Sequence, residues 1–356
     1  MSAAPIEAIA RPMAWSASDF ESIDELGFEF QSKHCDALDR ALNQVLERSL
    51  GVDDIGVVDF PLPEMQAELA SLRQEVKYGR GIVIIRGFPV GKYSMRELEI
   101  AYWGFGSHLG VGSSQSVMGD KVGHVRDTSA TDPNARAYRN KQSLTLHTDL
   151  CDFICMLSVS PAKSGGVSRY ACALDIHNHL LRQHRDSLEI LYRGFQMYRL
   201  GEQGPDEAPC TPWRVPVFSN CEGFVSCRWL RAYIEAAPAL AQCPLTDDEM
   251  TALDHMDSAA ERDGTVLERL LKPGEMTITN NYTVLHSRTT FEDDAANDVQ
   301  RRLLRLWLNG TPGRPVVPEI DLFAQRGVPR QIDQKPSGEG ELLQKMIRAS
   351  RSSRRA

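Results

Sequence analysis

His147-Thr148-Asp149 is a His-x-Asp triplet, and whether it can hold a metal depends on the backbone beneath it. On a helix, residues two apart point about 200° apart around the axis and cannot converge on one ion; on an extended segment they share a face. The chain carries four such triplets: His34 with Asp36, His147 with Asp149, His184 with Asp186, and His255 with Asp257. With nine histidines and 48 acidic residues in 356, roughly one would arise by chance, so the pattern alone says little. His184 and His255 lie in helical text and His34 at a helix entrance; all three read as surface polar residues. Only His147-Thr148-Asp149 ends one strand-like run and precedes another.

Such a site needs a third ligand. His286 stands in Val284-Leu285-His286-Ser287-Arg288, a second extended segment 137 residues after Asp149. Two imidazoles and one carboxylate make the facial triad of non-haem iron(II), which leaves about three octahedral positions for other ligands. A zinc hydrolase could use similar atoms, but its usual His-Glu-x-x-His helix is missing. Cys151 and Cys155 lie beside the triplet without the second thiolate pair that a structural zinc site would need.

Arg301-Arg302-Leu303-Leu304-Arg305-Leu306-Trp307-Leu308 adds a candidate anion site. Strand alternation puts Arg301, Leu303, Arg305 and Trp307 on one face and Arg302, Leu304, Leu306 and Leu308 on the other. Arginine in such apolar text is costly to bury unless it meets an anion, and its planar fork suits a carboxylate. Two arginines on one face could grip two carboxylates, or one could do so while the other makes a structural salt bridge.

The elements that must position these groups read as follows. Residues 1 to about 78 are mixed and largely helical, with helical spacing over Ala37 to Leu50 and Met65 to Val76. Ile82 to Ile85 suits a buried strand, closed by Gly87-Phe88-Pro89. Ser94 with Glu97, and Thr246 with Glu249, form capping boxes that open helices. A further helix spans about His177 to Tyr192, and short strands are expected at Phe195 to Leu200, Arg214 to Ser219 and Gly223 to Cys227. Gly112 to Asn140 is polar and Gly-rich; its part from Gln115 to Arg139, with His124, Arg126, Asp127 and Tyr138, reads equally as a lid or as a solvated connection. Arg228, Trp229 and Arg231 read as bracing a strand-to-helix corner rather than lining a pocket. Many short strands interrupted by a few helices indicate a mainly β fold with helical insertions, a sandwich or jelly roll. The expected organisation is an N-terminal helical region over 1–78 packed on the core, a main β domain carrying the candidate metal site over 79–330, and a basic, Ser-rich tail over 331–356.

Taken together, Gly81 to Phe88, Leu146-His147-Thr148-Asp149, Ser164-Gly165-Gly166-Val167-Ser168, Pro273-Gly274, Val284 to Arg288 and Arg301 to Leu308 resemble the taurine dioxygenase/TfdA-like branch of the iron(II), 2-oxoglutarate oxygenases, a branch related to clavaminate synthase. The likeness runs from about Arg80 to Pro315. It implies a double-stranded β-helix, a distorted jelly roll, with His147, Asp149 and His286 as iron ligands. It further implies Arg301 on the distal carboxylate of 2-oxoglutarate, with Arg302 as the alternative. Ser168 stands where a co-substrate-binding hydroxyl would be, and Arg305 resembles an arginine that reaches the substrate's anionic group. The implied reaction consumes O2 and 2-oxoglutarate, releases succinate and carbon dioxide, and hydroxylates an aliphatic C–H; desaturation or ring closure would use the same site. Halogenases of this lineage lack the carboxylate ligand, so Asp149 argues against halogenation.

Composition limits the partners. A net charge of -8 argues against a nucleic-acid binder, which needs clustered cations to displace phosphate counterions. No apolar run approaches the roughly 18 residues of a membrane helix. The first residues lack a secretory pattern and the eight cysteines lack a disulfide framework, so a cytoplasmic protein acting on a small anionic molecule is expected, as a monomer or homo-oligomer. From another class, a non-catalytic metal- or ligand-binding β-barrel would keep the histidines for structure.

Overall fold

A computed structural model describes residues 6–129, 139–241, 243–294 and 300–331. In chain order the elements are β1 (Gly27–Glu29), α1 (Ser32–Glu47), α2 (Gln66–Tyr78), β2 (Ile82–Arg86), α3 (Met95–Ser107), β3 (Val111–Gly112), β4 (Val122–Val125), β5 (Leu144–His147), β6 (Phe153–Ser160), β7 (Ser164–Gly165), β8 (Ser168–Cys172), α4 (Ala173–Gln183), α5 (Arg185–Arg193), β9 (Phe218–Cys221), β10 (Phe224–Cys227), α6 (Arg231–Ala236), α7 (Pro238–Ala241), α8 (Asp247–Ala260), β11 (Val266–Arg269), β12 (Met276–Asn280), β13 (Val284–Arg288), β14 (Phe291–Glu292) and β15 (Arg302–Asn309). The chain is mainly β with helices inserted between the strands.

Two sheets carry the site. The larger has the order β1-β2-β12-β6-β15-β3, with β4 also paired to β15; the smaller has the order β11-β8-β13-β5. Period-two alternation divides the larger sheet into two faces. On one face Val83, Ile85, Phe153, Cys155, Leu157, Met276, Ile278, Leu304, Leu306 and Leu308 pack in one core with residues of α1, α2 and α3. On the other face Ile154, Met156, Thr277, Thr279 and Arg305 line a cavity shared with Ser168, Tyr170, His147 and His286 of the smaller sheet. The Tyr170 hydroxyl bonds Thr277 Oγ1 at 3.1 Å, joining the two sheets across that gap.

Both capping boxes occur as expected: the Ser94 and Thr246 side chains accept from the backbone N–H groups of Glu97 and Glu249. Three local expectations change. The helix expected over His177 to Tyr192 is two helices, broken at His184, whose φ of -144° and ψ of 53° lie outside the helical region. The stretch Phe195 to Leu200 makes only isolated bridges, Phe195 to Val215 and Tyr198 to Cys210; its left-handed Leu200 and the nearby prolines Pro209, Pro212 and Pro216 interrupt any ladder. The N-terminal region is not helical alone, because β1 pairs in parallel with β2 at the sheet edge.

Candidate active site

The two histidines are brought together by strand register. β13 pairs with β5 so that His286 stands opposite His147, and residues directly opposite in an antiparallel pair project side by side on one face. Their rings lie 4.5 Å apart between centroids. Asp149 follows two residues beyond the end of β5. Its backbone N–H donates to Asn281 Oδ1 at 3.1 Å and its carbonyl accepts from Arg228, so both sides of its peptide frame are held. One ligand atom from each of His147, Asp149 and His286 falls within 4.8 Å of the others, which makes them the one three-residue group among the described residues able to hold a metal.

The atoms facing one another are His147 Nε2 and Asp149 Oδ1 at 3.9 Å, and His286 Nε2 and Asp149 Oδ2 at 3.8 Å. An octahedral ion with bonds of about 2.1 Å would draw such atoms to about 3 Å, a small adjustment. His147 Nδ1 lies 2.8 Å from the Thr145 carbonyl, which assigns the proton to Nδ1 and leaves Nε2 with a free lone pair. The donor set therefore fits a divalent transition metal.

Electrostatics favour the ligating forms. Burial opposes ionisation of Asp149, but the charge of Arg305, then those of His286 and His147 and the Trp307 hydrogen bond, hold its carboxyl down at about 2. Burial, reinforced by His147, pushes His286 down to about 3 against the pull of Asp149. Burial likewise pushes His177, remote from the site, to about 4. The depressed Asp149 carboxyl stabilises the fold above its ordinary value of 3.8, and this is lost as pH falls through about 2. Each depressed histidine binds its proton in the unfolded chain near 6.5 but not in the folded one, so stability drops as pH falls below 6.5, by about 1.4 kcal/mol per pH unit per proton. In metal-free protein, His286→Gln is expected to flatten the decline of melting temperature between pH 6.5 and 4; an unchanged slope would contradict it.

The cavity has an empty volume of ≈ 570 Å³ including its open mouth, and Arg301 and Arg288 line it with the metal-site histidines. Arg301 is 4 % exposed. Its Nη1 is buried without a hydrogen-bond partner among the described residues, while Nη2 reaches the Gly166 carbonyl at 3.4 Å. Burial pushes the guanidinium down to about 10, still cationic at neutral pH. A buried cation with an unused donor facing a cavity fits an incoming carboxylate. Arg302 is half-buried and does not line the cavity. Arg288 is committed to the chain entering β5, donating to the carbonyls of Asn140 and Gln142.

The paired glycines have a steric reason. Gly165 and Gly166 both have positive φ, and a Cβ on Gly166 would stand 2.7 Å from Arg301 Nε. Gly166→Ala should therefore displace the Arg301 fork and raise the KM for an acidic co-substrate by about tenfold or more, as expected when a charged hydrogen bond of about 1.5–3 kcal/mol is misplaced. Steady-state succinate release against 2-oxoglutarate concentration checks this. Ser168, at the start of β8, is buried and lines the same cavity.

Arg305 takes up one of the alternatives that its sequence reading left open. It lines the cavity, but its Nη1 donates to Asp149 Oδ2 at 3.2 Å and its Nε to Gln115 Oε1 at 2.6 Å. Of the two roles open to the arginine pair, this is the structural salt bridge. Gln115, from the segment read as a lid or connection, is itself buried, and that segment also contributes β4; Tyr138 lies outside the described residues. Arg228 holds the Asp149 carbonyl, Trp229 exchanges hydrogen bonds with Thr148, and Arg231 pairs with Glu235, Asp254 and Asp257, the bracing roles expected. His34 is not a surface residue: it is buried beside Phe28 and Phe30. Asn281 and Trp307 were assigned no role from sequence; Trp307 Nε1 donates to Asp149 Oδ2 at 2.8 Å. Its place on the Arg301 and Arg305 face was the available signal.

Residues 43–307 match the model of the taurine catabolism dioxygenase TauD, TfdA family. The chain belongs to this family. It is thus an oxidoreductase, which removes support from the non-catalytic barrel. An FR-33289 synthase of Streptomyces rubellomurinus is 28% identical over 319 residues, covering 87% of this chain and 94% of the relative. The taurine hydroxylase-like protein SAT17 of Stachybotrys chartarum is 24% identical over 307 residues, 83% of this chain and 78% of its own. Among solved structures, an asparagine oxygenase in complex with Fe(II), 2S,3S-3-hydroxyasparagine and succinate aligns with a TM-score of 0.62 at 18% identity, over 84% of this chain and all of its own. The non-heme iron oxygenase OrfP in complex with Fe, succinate and (3S)-hydroxy-L-Arg aligns with a TM-score of 0.57 at 14% identity, over 82% and 99%. The family match over 43–307 contains every site residue described above, from Gln115 to Trp307. No helix among the described residues is long and apolar enough to cross a membrane.

Proposed function

We propose that this TauD/TfdA-family protein is an iron(II)- and 2-oxoglutarate-dependent dioxygenase that hydroxylates an aliphatic C–H of a small anionic metabolite or amino acid. The observation that carries the reading is the convergence of His147, Asp149 and His286 in one cavity with Arg301, a buried arginine whose Nη1 is unpartnered among the described residues. The facing sheets are read as a double-stranded β-helix over residues 79–330, with 1–78 as a layer packed on it and 331–356 as a tail. His147, Asp149 and His286 would hold the iron. Arg301 would bind the far carboxylate of 2-oxoglutarate, with Ser168 as a hydroxyl partner.

Iron(II) held there supplies the redox chemistry by which O2 and 2-oxoglutarate become carbon dioxide, succinate and one oxygen atom for the substrate C–H. The protein's part is positional. Arg301, immediately before the strand that carries Arg305 and Trp307, would set the co-substrate's reach toward the ligand triad. Ile154, Met156, Val125 and Leu144 give the cavity an apolar part of its wall, beside the hydroxyls of Tyr170, Thr277, Thr279 and Ser287; that part limits water and strengthens the charge pairing inside. The relatives that carry hydroxylated asparagine and arginine support an amino-acid-like substrate. The eight unpaired cysteines fit a reducing, cytoplasmic setting.

Anaerobic titration with iron(II) and 2-oxoglutarate, followed by visible absorbance, tests the reading. A weak charge-transfer band near ~500 nm is the expected mark of an iron-bound 2-oxo acid. Its absence from folded wild-type protein would overturn the assignment.

A further inference from the structure

Asp149 offers two carboxylate oxygens to a metal, and the structure treats them differently. Oδ2 accepts from Trp307 Nε1 at 2.8 Å and from Arg305 Nη1 at 3.2 Å. Oδ1 has no hydrogen-bond donor among the described residues; the two oxygens are equally near the ligand histidines, Oδ1 3.9 Å from His147 Nε2 and Oδ2 3.8 Å from His286 Nε2, so the donors to Oδ2 are what distinguishes them. The two donors are built as a unit on alternate positions of β15. Arg305 lies over the Trp307 ring at 5.0 Å, its Nε is fixed by Gln115, and Trp307 is 3 % exposed. Trp307 also pairs with Ile154 in register, in the middle of the larger sheet.

We propose that Trp307, with Arg305, is a positioning residue that occupies Asp149 Oδ2 and thereby holds the carboxylate to a single bond, through Oδ1, with the metal. The inference rests on the assignment of His147, Asp149 and His286 as ligands. Its physical basis is competition for lone pairs. A carboxylate can ligate through one oxygen or through two, and a second bond from Oδ2 would have to displace a charged guanidinium and a buried indole N–H, the latter left without its acceptor. Keeping Asp149 to one coordination position preserves three for co-substrate and oxygen. Trp307 is suited to this because indole donates a single hydrogen bond and cannot itself ligate the ion.

The test is cobalt(II) binding to the full chain under nitrogen, with affinity and the visible ligand-field spectrum as readouts. Trp307→Phe removes the N–H, and benzothienylalanine at 307 removes it while retaining the bicyclic shape, so the second variant separates donation from packing. Loss of the partner is expected to shift the cobalt(II) affinity by up to about 10–100-fold, the scale of altering a group that orients a metal ligand, and to change the spectrum at saturation as Oδ2 becomes free to ligate. A folded benzothienylalanine variant with wild-type affinity and an unchanged saturated spectrum overturns the proposal. Wild-type protein that binds no cobalt(II) or iron(II) would instead overturn the ligand assignment beneath it.

Discussion

Asp149→Asn is expected to abolish succinate formation while leaving the fold intact, a loss of more than about 10³-fold in kcat/KM, since a metal's charge stabilisation is worth several kcal/mol. Asparagine is the informative replacement because its amide oxygen can still accept from Trp307 Nε1 and Arg305 Nη1, the two donors that meet Asp149 Oδ2 in the structure. The other position becomes an NH2, which offers no lone pair to an ion. Alanine would confuse the outcome by stranding a buried cation and a buried indole N–H. The measurement pairs turnover with metal content: the variant should remain folded in metal-free form, melting somewhat below the wild type because the charge pair with Arg305 is lost, yet retain no iron after gel filtration. Retained iron and near-normal turnover would remove Asp149 from the ligand set.

Arg301→Ala should raise the KM for 2-oxoglutarate by roughly 10²-fold, equivalent to about 3 kcal/mol, the scale of a charge-assisted contact made inside a cavity. Arg302→Ala should change it less than about twofold. The contrast follows from placement: Arg301 is buried in the cavity wall, whereas Arg302 is half-buried and outside it. Arg301→Lys should recover only part of the loss, because an ammonium keeps the charge without the planar fork. Succinate release measured across a co-substrate series decides the matter. A large effect at Arg302 with none at Arg301 would reverse the assignment.

The chemistry was legible because its carriers are short, local and extended. His147-Thr148-Asp149 follows from the two-residue period of a strand, and the same period sorts Arg301, Leu303, Arg305 and Trp307 from Leu304, Leu306 and Leu308. The structure keeps that division: the leucines at 304, 306 and 308 join the helix-facing core, while Arg305 faces the cavity. Capping boxes at Ser94 and Thr246 were equally local, and they mark helix starts correctly.

What sequence by itself determined about this protein is therefore the donor types and the faces of the strands that bear them. Tertiary structure decided which of those groups meet. That His286 stands opposite His147 depends on the register of β13 against β5, and pairing with a segment 137 residues after Asp149 is set by the packing of whole sheets rather than by any local preference. The role of Arg305 was decided the same way. Alternation put it beside Arg301, but only the approach of Asp149 and Gln115 from two other segments made it a partner of the carboxylate. Trp307 shows the limit most clearly: an indole in apolar strand text reads as core, and its N–H gains a function only once the fold has carried Asp149 to within 2.8 Å of it.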